Sequence, residues 1–201
     1  ALEVARRRGH WTGSRAAIDV GQRLRALRRA AQALVRGGLE LAPEALAVVL
    51  PLCGRLKVLK LHGNGFGDAG MVALAGRMGA LAKLESLGLG GNQISDAGMV
   101  SFSGAIASKA LGSLQNLELQ ANQIGDEGMK AFSSAIASGA LANLKLLWLS
   151  SNRIGNEGMQ AFSAAIASGS LGELPVAGEL QLLTLDGNQI LDAGMVSFSE
   201  T

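Results

Sequence analysis

The sequence predicts an α/β solenoid, in which short parallel strands and helices alternate along a curved, right-handed coil. Two observations carry this prediction. The first is an eleven-residue phrase that occurs five times with an Asn at the same place in each copy: Asn64, Asn92, Asn122, Asn152 and Asn188. The second is a helical apolar pattern that follows the phrase. These asparagines are 28, 30, 30 and 36 residues apart. A nearly regular period of this size is typical of stacked structural repeats.

Each phrase reads L-x-x-L-x-L-x-x-N, as in LQNLELQANQI. Because side chains alternate across a strand, its two central leucines, Leu117 and Leu119 in the third copy, must lie on one face, which we interpret as the core. The Asn follows where the chain leaves the strand. Its amide can donate to and accept from backbone groups of neighbouring turns. The sequence therefore predicts a ladder of stacked asparagines.

A helix is predicted after each Asn. In the third copy Met129, Phe132, Ala135 and Ile136 recur at spacings of three and four, and Gly139 is placed to end the helix. A polar residue at the start of each helix is interpreted as the N-cap of that helix: Asp68, Asp96, Asp126, Asn156 and Asp192. We expect small or polar side chains to form an outward convex wall: Ser103, Lys109, Lys130, Ser133, Ser134, Gln160 and Ser163.

A strand opposite a full helix, in units near thirty residues with the wording N-x-I-G-D-E-G-M-x-A-F, resembles the ribonuclease-inhibitor-like class of leucine-rich repeats. Ribonuclease inhibitors, the Ran GTPase-activating protein and NLR-type immune receptors contain such repeats. The resemblance covers roughly residues 40 to 201. It implies a parallel sheet on the concave side, helices on the convex side and a protein-binding role. No G-x-x-x-x-G-K-[ST] motif occurs in the sequence, which argues against a nucleotide-binding domain here.

Two regions are expected. Residues 39–201 form the repeat domain, with a degenerate first unit, five strand-Asn units and a truncated last unit. We expect Met195, Val196 and Phe198 at its open end to be covered by further chain, a partner or another copy. The stretch PVAGEL before the last strand is expected to bulge as a loop.

Residues 1–38 differ in charge from the rest. Residues 1–36 hold nine arginines and only two acidic residues. A helix that caps the first repeat is one interpretation. An organelle-targeting remnant, or a basic arm for RNA or an acidic partner, are the others.

Residues that could support chemistry are few. Cys53 is the only cysteine, so no internal disulfide can form, and it is interpreted as a core residue of a helix over 42–53. The two histidines, His10 and His62, lack the spacing of metal ligands. No catalytic, cofactor or metal site is therefore assigned. No apolar run reaches the ~18 residues of a membrane span, and we expect an intracellular protein in the cytoplasm, nucleus or an organelle interior.

Binding is expected on the concave face, where outward strand positions of successive copies align in rows. The candidate partner-binding residues are Val58, Lys60, His62, Glu118, Gln120, Leu146, Trp148, Ser150, Thr184 and Asp186. Trp148 alternates with the core leucines and is expected to be exposed. We interpret it as an interface anchor, with an incidental surface Trp as the alternative.

The sequence thus favours a non-enzymatic scaffold that binds a protein partner on its concave face. A GTPase-activating protein resembling the Ran regulator is one alternative, although no functional residues of that regulator can be placed on this sequence. A structural subunit of a larger, RNA-containing assembly, attached through residues 1–36, is another.

Overall fold

The computed structural model describes residues 50–52, 54–168 and 180–199. Strands and helices alternate along these residues. The strands are β1 (Val58–Lys60), β2 (Ser86–Gly88), β3 (Asn116–Glu118), β4 (Leu146–Trp148) and β5 (Leu182–Thr184). The helices are α1 (Gly67–Ala75), α2 (Asp96–Ala107), α3 (Asp126–Ala137), α4 (Asn156–Ala167) and α5 (Asp192–Ser199). Two short 3-10 helices span Leu50–Leu52 and Met78–Leu81.

The five strands form one parallel sheet in the order β1-β2-β3-β4-β5. A sheet in which neighbours in sequence are neighbours in space is what a solenoid requires. The register places each central leucine beside the next, Leu87 beside Leu117 and Leu117 beside Leu147. It also aligns the outward rows that the sequence predicts, such as Glu118 beside Trp148. The α/β solenoid is confirmed.

The core lies between the sheet and the helices. It contains the strand leucines together with one apolar stripe from each helix, including the fully buried Phe102, Phe132 and Phe162. Consecutive helices pack side by side. The inward stripe predicted for α3 is confirmed, because Met129 and Ile136 are also buried completely.

The convex wall differs from the prediction at three positions. Ser103, Ser133 and Ser163 are 4%, 3% and 3% exposed, so they do not lie on the outer surface. Each directly follows the buried Phe of its helix, in a structure whose consecutive helices pack side by side. The Ser133 hydroxyl donates to the carbonyl of Met129 at 2.7 Å, which satisfies it inside its own helix. Lys109, Ser134 and Gln160 are exposed as predicted.

The residue before each Asn turns the chain out of the strand with a positive φ. Gly63, Gly91 and Gly187 provide this conformation with φ of 66°, 69° and 69°. Ala121 and Ser151 hold the same place with φ of 56°, where an L side chain is disfavoured. The glycines at this place are therefore turn residues that provide the positive φ.

Several sequence predictions fall outside the described residues: the segment 1–38 with its capping helix, Cys53 and its helix, and the PVAGEL loop. At the other end, Met195 and Val196 are 48% and 53% exposed, and what covers them stays a prediction. No helix among residues 50–52, 54–168 and 180–199 is both long enough and apolar enough to cross a membrane.

Candidate binding surface

The Asn ladder, formed by Asn64, Asn92, Asn122, Asn152 and Asn188, fixes where each strand ends. The Asn122 side-chain amide donates to the carbonyls of Leu89 and Leu119 at 3.1 and 2.9 Å. Its oxygen accepts from the backbone N–H groups of Asn92 and Ile94 at 3.0 and 3.1 Å. Asn92 and Asn152 make equivalent bonds, so these three asparagines satisfy buried backbone groups of their own turn and of the preceding one. Asn64, in the first copy, donates only to the exposed carbonyl of His62. The predicted ladder is confirmed.

The acidic residues at the helix starts have a different role from the one predicted. Asp126 Oδ1 accepts from the backbone N–H groups of Gly155 and Gly158 at 2.7 and 2.9 Å, and these amides belong to the next helix. Gly155 is the N-cap residue of α4 and has no side chain that could accept from the first amides of the helix. The Asp126 carboxylate of the preceding repeat takes the place of that side chain. The interpretation of these residues as caps of their own helices is wrong. The starts of adjacent helices lie so close together that the side chain accepts from backbone amides of the next helix instead. Asp96 and Asn156 make the equivalent contacts to the following repeat.

Asp68 shows the electrostatic consequence of this arrangement. Burial alone would raise the pKa of its carboxyl group. The hydrogen bonds from the Ser95 hydroxyl at 2.6 Å and from the backbone N–H groups of Ser95 and Gly98 at 2.8 and 3.0 Å outweigh burial. The pKa of Asp68 is therefore lowered.

Glycine inside each helix start makes this contact possible. A Cβ placed on Gly128 would lie 2.6 Å from Asp96 Oδ1 and 3.1 Å from the Cβ of Met99. The same holds for Gly158, whose Cβ would lie 2.7 Å from Asp126 Oδ1. In α2 to α5, the Gly of the Gly-Met dipeptide therefore lies against the start of the preceding helix.

Lys130 links two helices on the outer side. Its Nζ lies 2.6 Å from Glu157 and 2.9 Å from Glu127. Hydrogen bonds to Glu157 and then to Glu127 raise the pKa of Lys130 above its usual range. This side of the molecule therefore contains an ion pair that joins neighbouring repeats to each other.

The side of the sheet away from the helices, called the open sheet face below, carries three rows of side chains in register. The rows are Val58, Ser86, Asn116, Leu146, Leu182; Lys60, Gly88, Glu118, Trp148, Thr184; and His62, Gly90, Gln120, Ser150, Asp186. All ten candidate residues lie on this face. Val58, Lys60, His62 and Asp186 are exposed, and the other six are half-buried.

Two glycines on the second strand bring His62 and Glu118 together. A Cβ on Gly88 would lie 2.2 Å from His62 Nε2, so the imidazole occupies the space that a side chain would fill. His62 Nδ1 accepts from the backbone N–H of Gly90 at 3.1 Å. The proton of the neutral ring must then be on Nε2, which lies 3.4 Å from Glu118 Oε2. The contact between His62 and Glu118 therefore covers two strand spacings and passes over the glycines between them.

Trp148 is half-buried, whereas the sequence predicted an exposed indole. It lies between Glu118 on β3 and Thr184 on β5 in the register of the sheet. Adjacent strands are only about 4.8 Å apart, so a ring of this size is partly covered by side chains of the same row. Trp148 therefore has both a shielded part and a part accessible to a partner.

Two polar side-chain oxygens of this face are buried without a hydrogen-bond partner among the described residues. They are Gln120 Oε1 and Thr184 Oγ1. Gln120 lies just after β3 with its side chain over Gly90, where a Cβ would come within 2.9 Å of its amide group, and Thr184 lies on β5 beside Trp148 in the register. Buried polar atoms without partners are uncommon in folded proteins.

The comparison with known families agrees with this architecture. A family model described as leucine-rich repeat matches four segments: residues 56–75, 80–103, 113–133 and 140–163. The chain is a leucine-rich-repeat protein. Each matched segment begins near a strand and ends in the following helix. The ribonuclease-inhibitor-like class stays a prediction.

Among solved structures, this leucine-rich-repeat chain is similar to an internalin (inlF) from Listeria monocytogenes. The two are 21% identical, and the match covers 78% of this chain and 48% of the internalin chain, with a TM-score of 0.36. The chain thus spans about half the length of that structure. No curated protein matches the sequence.

Sequence reasoning placed the rows of the leucine-rich-repeat sheet but missed what Gly88 and Gly90 do. The signal was present, because the second repeat alone has glycine at both outward positions. It also missed the unpartnered oxygens, which no local pattern reveals. Among the described residues, no group of three or more His, Cys, Asp or Glu side chains could hold a metal ion.

Proposed function

We propose that this leucine-rich-repeat protein is a non-enzymatic scaffold that binds a partner protein through the open sheet face. The observation that supports this most directly is the half-buried Trp148 at the middle of three side-chain-bearing strands, with Glu118 and Thr184 beside it. A large aromatic side chain surrounded by polar groups is the usual composition of an interface hot spot.

The helical side offers less for recognition. Apart from Met195 and Val196 on α5, its exposed large apolar residues are Val72 on α1 and Val100 on α2, and single surface valines are common in monomeric proteins. Lys130 is held by two glutamates of the same molecule. The open sheet face instead aligns side chains from five strands on one surface.

Site-specific photo-crosslinking tests the location of the interface. A photoreactive amino acid replaces Ser150 on the open sheet face or, as the matched control, Ser134 on the outside of α3, and the full chain is incubated with extract of its source. We expect a discrete crosslinked protein from position 150 and none from position 134. Crosslinks from position 134 alone would place the interface on the helices.

Trp148→Ala then tests the anchor with the captured partner. We expect the binding free energy to weaken by about 2 kcal/mol or more, the scale of a hot spot. The same variant should lose only about 1–2 kcal/mol of folding free energy, because part of the indole is already exposed to water. Ser134→Arg is the control and should change neither quantity. Unchanged binding by Trp148→Ala would exclude Trp148 as the anchor.

Two alternatives remain as proposals with their own assays. Stimulation of GTP hydrolysis by small GTPases would favour a GTPase-activating role, since a scaffold leaves hydrolysis unchanged. RNA binding with a steep salt dependence, abolished by deletion of residues 1–36, would favour an RNA-containing assembly. An intracellular location agrees with the single cysteine of the chain.

A further inference from the structure

The charges on the open sheet face are separated. Glu118 and Asp186 lie on β3 and just after β5, the two strands that flank Trp148 on β4. The positively charged residue of this face is Lys60 on β1. Three strand spacings separate Lys60 from Trp148, or roughly 14 Å. Within the three outward rows, the two carboxylates therefore lie nearer to Trp148 than Lys60 does.

The Glu118 carboxylate keeps one oxygen without a protein partner. Glu118 uses Oε2 for His62, and its Oε1 has no protein partner within the part of the chain that the structure describes. A ligand that reaches this carboxylate is therefore favoured by a positive charge and an N–H donor.

His62 positions the Glu118 carboxylate from the side away from Trp148. The imidazole is fixed by the Gly90 N–H and by the space above Gly88, and it approaches Glu118 from β1. The side of Glu118 that faces β4 remains next to Trp148. The register thus places Glu118 and Trp148 side by side, with their backbones about one strand spacing apart.

We infer that the surface formed by Glu118, Trp148, Thr184 and Asp186 binds an arginine side chain of a partner protein. This inference rests on the proposed scaffold function and adds the chemistry of the partner. A guanidinium group is planar, stacks on an indole, and carries five N–H donors in a fixed arrangement. Lysine offers a compact, strongly hydrated charge that does not stack in this way. An acidic partner residue would be repelled by both carboxylates.

Short synthetic peptides test this without knowledge of the partner. The probes are acetylated, amidated glycine peptides with one central Arg, Lys or citrulline; citrulline keeps the planar shape of arginine and lacks the charge. The full chain carries Trp11→Phe, so Trp148 is the only tryptophan and its fluorescence reports binding. We expect the Arg peptide to bind about tenfold more tightly than the citrulline peptide, with the Lys peptide between them.

Variants on the same face assign the contact. Glu118→Gln should weaken the Arg peptide about tenfold and leave the citrulline peptide unchanged. Lys109→Gln, which changes a charge on the exposed helical side, is the control and should change the affinity less than about twofold. Circular dichroism verifies the fold of each variant. If Glu118→Gln does not fold, Asp186→Asn serves in its place, since Asp186 is exposed, and it too should weaken the Arg peptide selectively.

Equal affinity for the Arg and citrulline peptides, or an Arg affinity insensitive to Glu118→Gln and Asp186→Asn, would overturn the inference. The scaffold proposal fails in a different way. If crosslinking at position 150 captures a partner whose binding needs Trp148 while the peptides show no preference for arginine, the scaffold stands and arginine recognition is wrong. If the Arg preference is observed and position 150 captures nothing, arginine recognition stands and the scaffold proposal is wrong.

Discussion

Asn122→Ala should remove the partners of two buried backbone amides. The Asn122 oxygen is the acceptor for the N–H groups of Asn92 and Ile94, and both residues are fully buried. The carbonyls of Leu89 and Leu119 lose one donor each but keep the amide of an adjacent ladder Asn. An unsatisfied buried group costs about 1–3 kcal/mol, so two of them predict a loss of about 2–6 kcal/mol of unfolding free energy.

Urea unfolding followed by circular dichroism measures this loss. Asn64→Ala is the matched control, because Asn64 holds the same place in its repeat yet its side chain donates only to the exposed carbonyl of His62. It should cost less than about 1 kcal/mol. Asn143→Ala, which removes an exposed bond to the carbonyl of Gly112, should also be mild.

Amide hydrogen exchange locates the effect within the chain. In Asn122→Ala, the N–H groups of Asn92 and Ile94 should exchange faster than in the parent protein, because they have lost their acceptor. Amides inside α4, two repeats away, should change less. Equal loss of stability in Asn122→Ala and Asn64→Ala, with unchanged exchange at Asn92 and Ile94, would refute the ladder argument.

Three further predictions concern the helix starts. Asp126→Ala should cost about 1.5–3 kcal/mol in thermal or urea unfolding, because its charged acceptor caps the next helix; Asp192→Ala, at the same place in the last described helix, should be close to neutral. Gly128→Ala should lower the unfolding free energy by about 1–3 kcal/mol, because its Cβ would clash with the preceding repeat. Gly104→Ala, with open space around its Cβ, should raise it by about 0.5–1 kcal/mol. A Gly128→Ala variant more stable than Gly104→Ala would contradict the close approach of α3 to the preceding repeat. The lowered pKa of Asp68 contributes stability that is present above the ordinary pKa near 3.8 and is lost as the pH falls through the folded pKa. The difference in unfolding free energy between the parent and Asp68→Asn should therefore shrink in acid. A difference that stays constant from neutral pH down through this range would contradict the argument.

A scaffold of this kind separates rigidity from recognition. The Asn ladder and the carboxylates at the helix starts join neighbouring repeats through backbone groups and do not depend on the side chains of the open sheet face. Outward residues such as Glu118 and Trp148 can therefore differ between repeats without loss of the fold. In the proposed function, recognition is therefore confined to a few positions of an otherwise regular molecule.

The sequence by itself determined the repeat architecture. Strand alternation and helical spacing are local, so Leu117, Leu119 and Phe132 could be assigned to the core from neighbouring letters alone, and the structure confirms all three. The Asn ladder was equally predictable, because an Asn that ends every strand has the backbone of adjacent turns within reach. The rows of the sheet followed from the period.

Only the tertiary structure decided which residues meet across repeats. Asp126 is the first residue of one helix, but its carboxylate caps the next helix. The stacking of the repeats brings the backbone N–H of Gly155 within hydrogen-bonding distance of that carboxylate. The burial of Ser133 depends in the same way on the distance between neighbouring helices. The contact between His62 and Glu118 requires two glycines on the strand between them. Such contacts depend on the separation and rotation of successive repeats, which is a property of packing that no periodicity in one repeat can specify.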